Sequence, residues 1–81
     1  MKKLTVYSAS WCGPCKMLKP TLENLKSEGY AIDIIDIDEN QFEAQAQNIT
    51  SVPTLILYED GVEVARGSGS ASEQEIKSWL D

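Results

Sequence analysis

Histidine is absent from this chain, and cysteine occurs only twice in 81 residues. Imidazole catalysis and every His-containing metal set are thereby excluded. A tetrahedral zinc site would need carboxylates or a second chain to complete it, so no metal is expected. Basic residues are also scarce. Seven Lys and Arg stand against 13 Asp and Glu, a formal net charge of −6. Phosphate backbones require clustered basic residues, so nucleic acid is not an expected partner. No apolar run approaches the ~20 residues of a membrane-spanning helix. The segment Leu4-Thr5-Val6-Tyr7-Ser8, after Lys2 and Lys3, is too short and polar for a secretory core. A cytoplasmic location with no membrane partner is the expectation. Gly67-Ser68-Gly69 lacks the Gly-Lys-Ser/Thr ending of a phosphate loop, and no cofactor is expected.

What is present suffices for one modest core. Apolar residues make up 42% of the chain, too many for disorder. A chain this short buries only ~60% of its unfolded surface, so residues 1–81 are read as one domain. The acids are uneven. Asp33, Asp36, Asp38, Glu39 and Glu43 crowd one stretch, and Glu59, Asp60 and Glu63 surround an expected turn. They read as solvated surface. Lys16 and Lys19 make the region just after the cysteines locally basic.

Both cysteines fall in Ser10-Trp11-Cys12-Gly13-Pro14-Cys15-Lys16, between a β-prone run and an amphipathic helix. Thiols at a helix N-terminus lie where the peptide dipoles favour negative charge, which promotes the reactive thiolate. Two thiols in one turn can close and reopen a disulfide. Without an export signal, such a pair reads as catalytic rather than as a structural staple.

The elements alternate in type. Lys3 to Tyr7 reads as a strand. Gly13 to about Glu28 reads as a helix with Leu18, Leu22 and Leu25 on its inner face, a kink at Pro20 and a stop at Gly29. Tyr30 to Ile37 reads as a buried strand. Asp38 reads as an N-cap, with Gln41 closing a capping box and a short helix running to about Gln47. Thr54 to Tyr58 is a strand, Asp60-Gly61 a hairpin turn, and Val62 to Arg66 an edge strand broken by Gly67-Ser68-Gly69. Ser70 or Ser72 caps a last helix with Ile76, Trp79 and Leu80 inward. The opening strand–helix–strand predicts parallel pairing with a right-handed crossover.

Trp11-Cys12-Gly13-Pro14-Cys15-Lys16 resembles the active site of the thioredoxin family. Ser51-Val52-Pro53-Thr54 resembles that family's cis-proline loop, Pro20 its helix-kinking proline, and Gly69 its glycine near the last helix. The resemblance implies an α/β thioredoxin-like fold, with a central four-stranded mixed sheet flanked by three helices in the order βαβ-α-ββ-α. The family's usual N-terminal strand and helix do not precede Cys12. In length and element order the chain resembles glutaredoxins and the small thioredoxins of phages and archaea.

The resemblance also implies a protein disulfide reductase or electron carrier, with Cys12 and Cys15 as the exchanging pair. Cys12 would have the exposed sulfur and attack first, and Cys15, one turn deeper, would resolve the mixed disulfide. Trp11 would offer an exposed recognition surface, Gly13 close backbone approach, and Pro14 a reducing poise. Pro53 would pack on the disulfide, and Val52 would pair with an extended substrate segment beside Gly69. Expected partners are disulfide-containing proteins such as ribonucleotide reductase, with a thioredoxin reductase as electron source. The alternative is a glutaredoxin-like carrier recharged by glutathione, although the aromatic residue expected between such cysteines is lacking. A monomer is expected. Two departures stand out. The family's buried aspartate and its accompanying lysine fall at Val6 and Ile34, which implies an apolar region behind Cys15 with no carboxylate. Ser8 stands where many thioredoxins carry a further tryptophan.

Overall fold

A computed structural model describes residues 1–81. Seven elements follow one another: β1 (Lys2–Ser8), α1 (Gly13–Ser27), β2 (Ile32–Asp36), α2 (Gln41–Ala46), β3 (Thr54–Glu59), β4 (Val62–Ser68) and α3 (Glu73–Leu80). The four strands form one sheet in the order β2-β1-β3-β4. β1 runs parallel to β2, and β3 is antiparallel to both β1 and β4. The expected mixed four-stranded sheet with three helices is what the chain forms.

Side chains alternate across a strand, so each strand serves two layers. Leu4 and Val6 of β1, Ile32 of β2 and Leu55 of β3 meet Leu18, Leu22 and Leu25 of α1 and Ile76 of α3 in one apolar cluster. On the opposite face, the Tyr7 hydroxyl donates to Glu43 Oε2 of α2 at 3.1 Å. Burial is the main force pushing the Tyr7 hydroxyl up to about 12.

Helix ends follow local chemistry. α1 stops at Gly29, whose φ of +101° is left-handed. The Tyr30 and Gly29 N–H groups donate to Leu25 and Lys26 carbonyls at 3.2 and 3.0 Å, which closes a Schellman cap. α3 starts at Ser72 with the complete capping box to Glu75. Asp60 and Gly61 both take positive φ, +53° and +85°, as a two-residue type I′ hairpin turn demands.

Four expectations need correction. β2 spans only Ile32–Asp36, and only Ile32 in it is buried. As an outer strand it has a neighbour on one side only, so Ile34 and Ile35 are half-covered. Asp38 is not an N-cap: α2 begins after Asn40, with no side-chain cap. The Asp36 carboxylate instead receives the Asp38 N–H at 2.8 Å and holds the turn ahead of the helix. β4 runs on through Gly67 to Ser68. Gly67 is there for packing, since a Cβ on it would come 3.3 Å from the Trp79 ring. The strand ends at Gly69, with φ +87°.

Candidate active site

β1 ends at Ser8 and the chain turns through Ala9 to Trp11 into α1. Cys12 is the N-cap, in extended backbone geometry, and its Sγ accepts the Cys15 N–H at 3.2 Å. The sulfur thus occupies the place a Ser or Asp side chain takes at other helix starts, on an amide with no partner inside the helix. No acidic residue lies in the first turn of α1. Both features favour negative charge on Cys12 Sγ. Pro14 sits in that first turn, where its missing N–H costs nothing.

Cys12 and Cys15 are joined by a disulfide, with Cα atoms 5.2 Å apart. Both are buried, 6% and 5% exposed, so exposure does not separate the sulfurs in the oxidised form. Their surroundings do. Cys12 Sγ lies 3.7 Å from the Val52 carbonyl oxygen across the groove. Cys15 also lines a cavity of about 370 Å³, together with Val6, Ile34 and Pro53, and Cys12 does not.

The Val52–Pro53 peptide is cis. Pro53 is buried, and its carbonyl accepts the Gly69 N–H at 2.9 Å, which ties the proline loop to the end of β4. Val52 is half-buried and makes no backbone hydrogen bond of its own. Trp11 is 65% exposed beside the disulfide. Its Nε1 donates to Asp38 Oδ2 at 2.8 Å, which fixes the ring's direction. A Cβ on Gly13 would meet nothing within 4 Å, so no intrachain contact demands glycine there. Val52 packs against the cluster of Ala9, Cys12 and Cys15, and Gly69 is hydrogen-bonded to Pro53, so three separated stretches of chain meet around the disulfide.

Two residues escaped the sequence reading. Asp38 orients Trp11. Asp36 lines the cavity behind Cys15, together with Lys16 and Lys19. The expectation of a region without a carboxylate is therefore wrong. The signal was available, because Ile32, Ile34 and Asp36 alternate onto one face.

A disulfide closed at a helix N-terminus, facing a cis-proline loop on a mixed sheet, defines a dithiol–disulfide oxidoreductase. The comparisons narrow this class. The Thioredoxin family model matches residues 2–81. A thioredoxin from Chlamydia pneumoniae is 52% identical over 80 residues, covering 96% of this chain and 78% of that protein. A thioredoxin from Staphylococcus aureus is 41% identical over 83 residues, covering 98% and 79%. Among solved structures, a mutant thioredoxin from Halobacterium salinarum superposes with a TM-score of 0.91 at 40% identity, covering 98% of this chain and 71% of that one. Fasciola hepatica thioredoxin gives 0.87 at 32% identity, covering 98% and 77%. The chain belongs to the thioredoxin family. Its Cys12–Cys15 pair sits in the active-site position and carries thioredoxin-type dithiol–disulfide exchange with disulfide substrates and reductase-type partners.

In the reduced protein, Cys12 is expected to react first. Alkylation with limiting iodoacetamide at neutral pH, followed by peptide mass spectrometry, should place most of the label on Cys12. Preferential labelling of Cys15 would reverse the assignment.

Proposed function

We propose that this chain is a cytoplasmic electron carrier that reduces protein disulfides, with ribonucleotide reductase among its targets. Cys12 attacks the substrate disulfide as a thiolate and forms a mixed disulfide. Cys15 then attacks Cys12 Sγ, which releases the reduced substrate. Cys12 Sγ on the Cys15 amide is the observation that carries this order, because the helix start stabilises the anion on that sulfur. The N–H and carbonyl of Val52, neither bonded to backbone, offer the substrate segment a short β-type pairing beside Cys12 Sγ. Trp11 and Gly13 flank the entering chain, and Pro53 and Gly69 shape the opposite wall. No helix of the chain is long and apolar enough to cross a membrane.

The test is a coupled assay of insulin reduction. Electrons are supplied either by NADPH and a thioredoxin reductase or by glutathione. Turnover with the reductase and little with glutathione is expected, and the reverse result would favour the glutaredoxin-like alternative. The Gly13-Pro14 pair also implies a reducing potential. Equilibration with glutathione buffers should give a value near ~−270 mV rather than the ~−120 mV of a strong oxidant. A value above roughly −180 mV would contradict the reductant reading.

A further inference from the structure

One carboxylate lines the cavity behind Cys15, and thiol exchange as described so far gives it no part. Asp36 ends the row Ile32, Ile34, Asp36 on the sheet face under α1. The first two pack with the apolar core. The third reaches the cavity that Cys15 also lines. Asp36 Oδ1 accepts the Asp38 N–H at 2.8 Å and the Glu39 N–H at 3.4 Å, which holds the carboxylate at the end of β2. Oδ2 has no hydrogen-bond partner within the chain. The other polar side chains of the lining are Ser8 and Ser10 around the end of β1, and Lys16 and Lys19 on α1; the loop before β3 contributes only Pro53. At about 370 Å³ the cavity has room for several waters, each filling ~30 Å³.

We propose that Asp36 takes the proton of Cys15 through water in this cavity, and so serves as the proton relay that Val6 cannot provide. The Cys15 Sγ–H proton passes through water to the Asp36 carboxylate. The electron pair left on Cys15 Sγ attacks Cys12 Sγ, and the Cys12–substrate S–S bond breaks. That bond's electron pair leaves on the substrate sulfur as a thiolate. The proton held by Asp36 returns to water, and the thiolate takes one up. The protein loses two electrons and two protons, and the substrate disulfide gains both.

Asparagine at position 36 separates a relay from a purely structural role. Its amide oxygen still accepts the Asp38 and Glu39 N–H groups, so the turn survives and only the proton affinity is lost. The charge effect has the opposite sign. Removing a negative charge near Cys15 favours its thiolate and by itself would speed attack. The inference rests on Cys12 attacking first, and the experiment reads the two steps separately. Reduced protein is mixed with 5,5′-dithiobis(2-nitrobenzoate) in a stopped-flow cell. The first thionitrobenzoate reports attack by Cys12, and the second reports resolution by Cys15.

For Asp36→Asn at pH 7 the second phase should slow roughly tenfold, below the usual range for a directly placed base because water intervenes. The first phase should stay within about twofold of the parent. Asp36→Glu should recover most of the second phase, and added imidazole should speed the Asn variant more than the parent. Between pH 6 and 8 the variant's second phase should rise in proportion to hydroxide, and the parent's less steeply. A second phase within twofold of the parent would overturn the relay, as would equal slowing of both phases. A parent that releases the two equivalents in one step dependent on Cys15 alone would overturn the order of attack, and the relay with it.

Discussion

Replacing Cys15 with serine is expected to turn the protein from a catalyst into a trap. Cys12 keeps its place on the amide at the start of α1 and still attacks a disulfide. No second thiol then stands within one helical turn to displace the substrate. In the parent that thiol is held with its Cα 5.2 Å from that of Cys12, inside the span a disulfide bridges without backbone movement. Resolution is therefore an intramolecular step with a high effective concentration. In the variant, release must wait for an external thiol at its bulk concentration. Incubating Cys15→Ser with an excess of a disulfide-containing protein should give one adduct per chain, visible as a mass increase and lost on adding dithiothreitol. Catalysed insulin reduction should fall to background. Cys12→Ser should form no adduct and show no turnover, because the thiol that sits on the amide at the helix start is gone. If Cys15→Ser sustained many turnovers at the parent rate, the two-cysteine mechanism would be wrong.

Much of this arrangement was legible in the sequence, and the reasons differ from part to part. Two cysteines at a helix start, the Asp60-Gly61 turn and the Ser72–Glu75 box are local signals, read from neighbours within four residues. They appear in the fold at the expected residues. What failed depended on position in the sheet. Four isoleucines between Ile32 and Ile37 suggest burial on both faces, yet strand order put β2 at the edge and left Ile34 and Ile35 half-covered. Asp38 has the sequence context of an N-cap. It became the acceptor for Trp11, 27 residues away, because Asp36 had already organised the turn. Gly67 reads as a strand breaker, and its reason for being glycine is the Trp79 ring on another element. The most consequential omission was Asp36. Counted among surface acids, it sits on the inward row of its own strand. Alternation along β2 could have revealed this where composition could not.

Val6→Asp should be the most destabilising single change near the site. Val6 is 1% exposed, in the apolar cluster with Leu18 and Leu22, and its β2 neighbour in register is Ile34. A carboxylate there loses water and gains no partner on the same strand pair. An uncompensated buried charge costs about 3 kcal/mol or more, a large share of the ~5–15 kcal/mol that holds a domain together. Burial should instead push the new acid up and keep it protonated. The consequence for pH follows from linkage. Below the ~3.9 of an unfolded aspartate, both states hold the proton and only the loss of apolar packing is felt. As pH rises above that value the unfolded chain releases its proton while the folded one keeps it. Stability should then fall by about 1.4 kcal/mol per pH unit until the folded acid ionises. Denaturant unfolding of oxidised Val6→Asp between pH 4 and 8 should show this slope against a flatter parent. Adding Ile34→Lys should recover part of the loss near neutral pH, because position 34 is half-buried and a lysine can lift its ammonium toward water while facing the aspartate. A flat profile with parental stability would mean that water in the cavity, or Lys16 and Lys19 on its rim, solvates a charge at position 6. The packing of Val6 in the apolar cluster would then not seal position 6 from the cavity it lines.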